Sequence, residues 1–347
     1  MSPETRLSEH KITSPGPLLD AAGRLREAGW ARQPRLDANL ERAGGALRRA
    51  LRVKRWDYYG IWAPGLYASA AVAHVGYLGM AFAYVLDLET GANPERSVVR
   101  PLGAGVALPR NSDRGDVRFE GGGMRLELAL APGVRHVRVA DPRFDGGAGL
   151  EIEAALACPP EHESVVTATP FPGGGFYYNR KLQLLPATGH VRWGARRVEL
   201  VAERDLGQLD WGRGIWPYRT HWVWASASGR AGDGRRVGLN LGFFGDPRAA
   251  AENALVVDGR VHKLGAVEAR FDPRDYRKPW RFADRAGRLD VELVPRVERV
   301  ARTRALVLRT EVHQCFGLWS GRVRTDAGEA LRIEDLPGFA EEHRARW

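Results

Sequence analysis

The chain has 347 residues, of which 41 are glycine and 21 are proline, and 44% are hydrophobic. So many helix-breaking residues exclude a helical bundle or a coiled coil, while the hydrophobic content suffices for a folded core. Lys and Arg outnumber Asp and Glu by 52 to 42, giving a net charge of +10, but the cations are mixed with acids and form no nucleic-acid motif, so we predict no nucleic-acid partner.

The first 55 residues differ from the rest of the chain and predict a partly helical N-terminal arm. Residues 18–27 and residues 38–51 can form helices, and Asp37 can cap the second. The second helix would turn four apolar side chains to one face: Leu40, Ala43, Leu47 and Leu51. Residues 1–20 lack the apolar core of a secretory signal, which favours a cytoplasmic protein.

From Trp56 onward, short segments rich in aromatic and apolar residues alternate with turn residues. Tight hairpins are indicated at Gly121-Gly122-Gly123 and at Val257-Asp258-Gly259-Arg260-Val261. Many short strands at about ten-residue spacing predict a mainly β fold of antiparallel barrels or sandwiches. The tail from Glu334 to Trp347 is expected to form a short C-terminal helix. Because the strands fall into two runs, we divide the chain into the N-terminal arm (1–55), a first β domain (56–203) and a second β domain (204–347).

The tract from Leu209 to Trp224 holds more aromatic and charged side chains than a core strand requires. It contains four tryptophans and four other candidate site residues: Trp211, Trp216, Trp222, Trp224, Asp210, Arg213, Tyr218 and His221. On a strand, Trp222 and Trp224 share one face and could floor an apolar pocket. A carboxyl at the mouth of such a pocket is disfavoured in its charged form, so Asp210 could donate a proton to an alkene or a glycosidic oxygen. A structural role stays open, with Asp210 paired to Arg213 or capping a turn.

Three shorter segments add candidates: Asn253, Trp280, His313 and Gln314. A buried amide such as Asn253 more often bonds to backbone than to a ligand. A histidine such as His313 titrates near neutral pH and suits proton transfer. Neither the histidines nor the two cysteines, Cys158 and Cys315, form a metal or redox motif, so we predict no metal, no cofactor and reduced thiols.

Several separated stretches resemble a bacterial family known as domain of unknown function 2804. They are Phe176 to Lys181, Leu209 to Trp224, Glu252 to Gly259, His313 to Gly317 and Gly338 to Glu341. The similarity keeps this order and runs across roughly residues 10–347, so the chain is identified as a member of the family. The family name implies no activity.

A more distant resemblance implies a fold and a ligand class. Asp210-Trp211-Gly212, the pair Trp222 and Trp224, and the hairpin at Asp258 are similar to part of the carotenoid-hydratase-like group, which includes tocopherol-cyclase-like and survival-factor-like proteins. The resemblance implies two lipocalin-like β-barrels (calycins) side by side, a large apolar cavity and terpenoid or lipid ligands. It also implies that an acid protonates a double bond, and Asp210 matches that acid. Because this chain has Leu-Asp-Trp-Gly-Arg-Gly in place of Trp-Asp-His-x-Trp-Gly, the position of the acid stays open.

We therefore predict a protein with a hydrophobic cavity that hydrates or cyclises an isoprenoid or lipid-like substrate by acid catalysis. Asp210 would donate the proton, and His221 or His313 could position a water. The predicted substrate contacts come from nine residues: Trp211, Arg213, Trp216, Tyr218, Trp222, Trp224, Asn253, Trp280 and Gln314. One alternative is a non-catalytic carrier of a small hydrophobic ligand, with a cationic surface that contacts an anionic membrane. A second is a carbohydrate-active enzyme that pairs Asp210 with Glu311 or Glu252. Nothing in the sequence indicates the oligomeric state.

Overall fold

Two antiparallel sheets form most of the fold in the computed structural model, which describes residues 9–243, 251–305 and 308–347. The arm and the first sheet contain β1 (Gly16–Pro17), β2 (Gly29–Ala31), β3 (Leu36–Asp37), β4 (Val53–Ala63), β5 (Leu66–His74), β6 (Leu78–Asp87), β7 (Glu95–Pro101), β8 (Val117–Gly121), β9 (Met124–Ala131), β10 (Val134–Asp141), β11 (Leu150–Ala157), β12 (Val165–Pro170), β13 (Phe176–Trp193), β14 (Arg196–Leu200) and β15 (Leu206–Ile215). The second sheet contains β16 (Arg219–Arg230), β17 (Arg236–Phe243), β18 (Ala254–Val257), β19 (Arg260–Lys263), β20 (Val267–Arg270), β21 (Trp280–Asp284), β22 (Leu289–Ala305), β23 (Leu308–Arg324) and β24 (Ala330–Arg346). The helical segments are α1 (Ala46–Arg52) and the 3-10 turns Leu40–Arg42 and Asp145–Gly147.

The first sheet is a nearly closed barrel, and the second sheet is a half-barrel. The main strand order of the first is β7-β6-β5-β4-β15-β13-β11-β10-β9-β8, and that of the second is β19-β18-β17-β16-β24-β23-β22-β21-β20. Alternating side chains fill each interior with apolar groups, such as Leu126 and Ile152 in the first sheet and Trp280 and Trp319 in the second. The predicted mainly β fold with two lipocalin-like halves is confirmed.

The outer faces of the two sheets pack against each other through aromatic side chains. The group includes Tyr58, Trp62, Tyr67 and Tyr84 from the first sheet and Trp224, Phe316 and Phe339 from the second. Hydrogen bonds cross the same interface, because Tyr84 donates to Gln314 Oε1 at 3.1 Å and Gln183 Nε2 donates to Ser226 Oγ at 3.0 Å. The two sheets therefore share a buried interface that is both aromatic and polar.

The predicted helices of the arm are largely wrong. Residues 18–27 form turns, because the Asp20 carboxylate accepts the backbone N–H groups of Ala22 and Arg24 and thereby competes with a helix. The second helix shortens to a 3-10 turn followed by α1, since Gly44 and Gly45 interrupt it. No residue of α1 is buried, so Leu47 and Leu51 do not join the expected buried face. Residues 1–8 of the arm lie outside the described residues.

The predicted C-terminal helix is also wrong, because the tail forms strand β24. This strand pairs with β16 on one side and with β23 on the other, which buries Phe339 and Ala340. Two rows of backbone hydrogen bonds override the helix propensity of its Glu, Ala and Arg residues. Within the described residues, no helix has the length and apolar character needed to cross a membrane.

Both predicted hairpins are confirmed, because β8 pairs with β9 and β18 pairs with β19. At the second turn Asp258 and Gly259 have φ values of 45° and 80°, as a tight two-residue hairpin turn requires. The chain passes from the first sheet to the second after Ile215, because β15 pairs with β4 and β13 of the first sheet. The division into domains stays a prediction.

Candidate active site

Strand alternation divides the predicted site residues among three locations. On β15, Trp211 packs in the interior of the first barrel, so the neighbouring Asp210 points outward to the second sheet. On β16, Trp222 and Trp224 face the first sheet, and His221 lies on the opposite face. The structure thus brings Asp210 together with Trp222 and Trp224 at the interface between the sheets.

The centre of this interface is a buried cluster of charges. Lys181 Nζ from β13 lies 2.9 Å from Asp210 Oδ1 and 3.6 Å from Oε2 of Glu252, which lies two residues before β18. The same ammonium lies 4.2 Å from the centre of the Trp224 ring. Lys181, Asp210 and Glu252 are all buried, and Asp210 pairs with Lys181 instead of with Arg213. The cluster therefore joins the two sheets through ion pairs that are shielded from water.

Neutral side chains hold these carboxylates in place. Asn179 Nδ2 donates to Glu252 Oε2 at 2.9 Å, and the Tyr177 hydroxyl donates to Asp210 Oδ1 at 3.4 Å. Since Tyr177, Asn179 and Lys181 alternate along β13, all three face the second sheet. Three alternate residues near the start of this strand thus each contact the carboxyls of the cluster.

A third buried carboxyl, Glu341 on β24, lies beside the cluster. Trp222 Nε1 donates to Glu341 Oε1 at 3.1 Å. Burial raises the pKa of Glu341 to about 7, and the charge of Asp210 adds to this rise, whereas Lys181 and Arg299 oppose it. Burial likewise raises the pKa of Glu252 to about 7, against the effect of Lys181. Two carboxyls of the site can therefore hold a proton near neutral pH.

Tyrosine hydroxyls extend the polar network away from Trp224. The Tyr58 hydroxyl lies 2.7 Å from that of Tyr67 and 2.8 Å from that of Tyr84, which in turn donates to Gln314. Arg299 also donates to the Gln314 oxygen, at 3.2 Å. Burial raises the pKa of all three phenols, so they stay neutral donors and acceptors. Gln314 is thus at the interface but bonds to protein groups.

The two predicted histidines lie on the inner face of the second sheet, near one end of the half-barrel. His313 Nδ1 is 2.6 Å from Glu298 Oε1 and its Nε2 is 3.3 Å from Glu311 Oε1, while His221 Nε2 is 2.8 Å from Glu342 Oε1. They line neighbouring cavities of 350 and 470 Å³. The structure does not bring either histidine to Asp210, and Glu311 also lies at this separate place.

Four further predicted residues have structural partners away from Asp210, Glu252 and Glu341. Arg213 donates to Asp57 inside the first barrel, and Trp211 packs there against Tyr178. Trp280 is in the core of the second sheet, where its Nε1 donates to the carbonyl of Tyr276. The Asn253 side chain accepts from the Gly242 amide and donates to the Gly265 carbonyl.

The remaining two predicted residues lie near the edge of the interface. Trp216 is buried and packs against Trp56, Tyr177 and Trp222. Tyr218 is partly exposed, with the Arg52 guanidinium 5.7 Å from its ring centre. Trp216 is therefore the one of the two that touches side chains of the carboxyl site.

Lys181 and Glu341 are the site residues that the sequence analysis did not single out. Lys181 is one of five lysines in a chain whose other basic residues are arginines, and it ends the alternating polar set on β13. That alternation was a usable signal. Glu341 ends a stretch that carries the family resemblance, but its segment was expected to be helical, and its position at the site depends on the pairing of β24 with β16.

Four cavities among the described residues lie away from the carboxyl cluster. No group of three or more metal-binding side chains occurs among the residues that the structure describes. The four cavities described for these residues have volumes of 320 to 480 Å³, and none of them is lined by Asp210, Glu252 or Glu341. The large apolar cavity stays a prediction.

From the burial of His343 next to Trp222 we predict how the free energy of unfolding depends on pH. The ring centres of His343 and Trp222 are 3.8 Å apart, and burial lowers the pKa of His343 to about 3 from its ordinary 6.5. As pH falls, His343 therefore takes up a proton at a higher pH in the unfolded chain than in the folded protein. The neutral His343 stabilises the folded state fully above pH 6.5, and this stabilisation is lost as pH falls from 6.5 towards 3. The slope is at most about 1.4 kcal/mol per pH unit.

His343→Phe keeps a ring against Trp222 and removes the titrating group. We expect its free energy of unfolding to fall less steeply than that of the wild type between pH 6.5 and 3, as measured by urea unfolding at several pH values. Comparing the two proteins cancels the carboxylates that titrate in the same range. Equal slopes would show that His343 is protonated normally in the folded protein.

Comparisons with known proteins agree on the fold. A model of the family described as "Domain of unknown function (DUF2804)" matches residues 9–347. The structure is similar to a putative AttH from Nitrosomonas europaea, with 14% identity, a TM-score of 0.51, and coverage of 84% of this chain and 92% of that one. It is also similar to kievitone hydratase from Nectria haematococca, with 12% identity, a TM-score of 0.48, and coverage of 95% and 98%. No curated protein matches the chain. At these identities the likeness concerns the fold alone.

Proposed function

The chain belongs to the family described as domain of unknown function DUF2804, and from its buried carboxyls we propose that it is an enzyme that works by acid–base chemistry. The observation that carries the proposal is that Glu252 and Glu341 are both buried beside the Lys181–Asp210 ion pair, where burial raises the pKa of each to about 7. A carboxylic acid that keeps its proton near neutral pH is suited to donate that proton to a weak base.

The proposed reaction is the hydration or cyclisation of a hydrophobic alkene, of the isoprenoid or lipid-like class. Glu341 donates its proton to one carbon of the double bond, and the Asp210 carboxylate stabilises the resulting cation. In hydration, water attacks the cation and the resulting oxonium loses a proton. In cyclisation, a second double bond of the same substrate attacks the cation, and the new cation that this forms loses a proton from a neighbouring carbon to leave a double bond. In both cases the Glu341 carboxylate takes up that proton, so the enzyme ends unchanged.

The surroundings of the carboxyls support an apolar substrate. The interface is lined by aromatic side chains such as Tyr58, Phe316 and Phe339. The Lys181 ammonium lies 4.2 Å from the centre of the Trp224 ring and so occupies a ring face that could otherwise stabilise a cationic intermediate. We therefore assign the stabilising role to Asp210 and to the ring of Trp222, which lies next to Glu341.

Isotope incorporation from solvent tests the proposal and does not require that the product be known. A panel of isoprenoid and unsaturated lipid substrates is incubated with the protein in deuterium oxide and analysed by mass spectrometry. We expect one substrate to gain a carbon-bound deuterium, and oxygen-18 water separates hydration, which adds the labelled oxygen, from cyclisation, which does not. A compound that raises the melting temperature of the protein but gains no deuterium from solvent would indicate a carrier instead.

A further inference from the structure

One end of the first barrel carries an exposed apolar patch around α1. Leu47 and Leu51 of α1 are 74% and 45% exposed, and Leu102 in the loop after β7 is 82% exposed. The β5–β6 turn connects the three leucines. The Leu102 amide donates to the Tyr77 carbonyl of this turn at 2.8 Å. Gly76 of the same turn lies against α1, so closely that a Cβ added to it would be 2.0 Å from the Ala50 oxygen. We call Leu47, Leu51 and Leu102 the α1 patch.

The charges around the α1 patch are mostly positive. Residues 42–56 contain six cations and no acid; the cations are Arg42, Arg48, Arg49, Arg52, Lys54 and Arg55. Of these, Lys54 is buried, so the exposed positive charge comes from arginines. Among the residues that the structure describes, Arg42, Arg48, Arg49 and Arg52 form no ion pair, although most arginines elsewhere do. A cavity of 480 Å³ adjoins α1 and is lined by Arg49 and Arg55 together with the ion pair of Arg110 and Glu41. The leucines of α1 thus lie on a segment whose own arginines have no acidic partner among the described residues.

We infer that the α1 patch and its arginines dock the protein on an anionic lipid surface. Exposed leucines beside arginines are the pattern of a segment that lies in the interface of a bilayer, with the leucines at the acyl boundary and the guanidinium groups at the phosphates. A nucleic acid would attract the same arginines but would gain nothing from the leucines. The inference does not rest on the proposed reaction, because the α1 patch shares no residue with the carboxyl site.

Vesicle sedimentation tests this inference with matched variants. We expect the wild type to sediment with vesicles that contain phosphatidylglycerol, more weakly with pure phosphatidylcholine, and less as salt increases. Leu47→Asp/Leu51→Asp is expected to lose at least tenfold in affinity. Each of Arg42→Gln and Arg48→Gln is expected to lose about fivefold.

The controls remove similar groups from other parts of the surface. Val294 is 51% exposed on β22, and Arg274 and Arg285 have side chains that are 91% and 83% exposed. Val294→Asp and Arg274→Gln/Arg285→Gln should bind the vesicles like the wild type, and melting temperatures establish that every variant is folded. Failure of the wild type to bind anionic vesicles, or equal losses in controls and test variants, would overturn the inference. The inference would also be overturned if the protein bound RNA tightly but did not bind vesicles, and if Leu47→Asp/Leu51→Asp bound RNA as well as the wild type.

Discussion

Replacing Glu341 by glutamine is expected to lower the rate of deuterium transfer to substrate by about 10²- to 10⁴-fold, the usual contribution of a positioned general acid. Glutamine keeps the size of the side chain and an oxygen that accepts the hydrogen bond of Trp222 Nε1, which is 3.1 Å long in the wild type. It has no acidic proton to give. The effect should therefore fall on the rate and leave the affinity for substrate nearly unchanged.

Two further variants make this prediction specific. Glu334→Gln removes an exposed carboxyl from the same strand, where its side chain is 57% exposed, and should leave the rate unchanged. Asp210→Asn removes the partner of Lys181 and the group that stabilises the cation, so it should also slow the reaction. If Asp210→Asn abolishes label transfer while Glu341→Gln retains it, Asp210 is the proton donor and the role assigned to Glu341 is wrong.

Replacing Asp57 by alanine is expected to destabilise the fold by about 3–5 kcal/mol, because it leaves a buried guanidinium without its counter-charge. Arg213 is only 1% exposed inside the first barrel, and it donates to Asp57 Oδ1 at 2.7 Å. The carbonyls of Trp56, Pro109 and Gly212 accept its remaining hydrogen bonds but carry no charge. The loss is measured as the free energy of unfolding in urea at neutral pH.

Two comparisons separate loss of the pair from loss of a side chain. Asp57→Leu/Arg213→Met replaces both charges by apolar groups and should recover part of the stability, since no charge is left unpaired. Asp290 and Arg281 form a surface pair in which their side chains are 48% and 57% exposed. Asp290→Ala breaks this pair and should lower the free energy of unfolding by no more than about 1 kcal/mol. A cost for Asp57→Ala as small as that for Asp290→Ala would mean that water reaches Arg213.

The β fold could be predicted from the sequence because its signals are local. The glycines at 121–123 and the Asp258-Gly259 turn mark hairpins whose strands are neighbours in the chain. The tail failed as a prediction for the opposite reason. Its helix-favouring residues form β24, which pairs with β16, a strand that is distant in the sequence. The residues of the tail alone do not predict that pairing.

The candidate site was predicted only in part for the same reason. The face that Trp222 and Trp224 share followed from strand alternation, and so did the proximity of Asp210 to an apolar surface. The partners of these residues come from other strands, and only the packing of one sheet on the other brings Lys181 and Glu341 to them. Alternation also sends Trp211 and Arg213 into the barrel interior, a direction that the composition of the tract does not reveal.

The measurement that tests the central claim most directly is a carbon-13 NMR titration of the glutamate side-chain carboxyls. The resonances of Glu252 and Glu341 are assigned by their disappearance in Glu252→Gln and Glu341→Gln, so no substrate is needed. Our account predicts that both carboxyls titrate with midpoints near 7. Midpoints near the ordinary glutamate pKa of 4.5 for both would leave the site without a proton to donate at neutral pH, and would contradict the proposed acid catalysis.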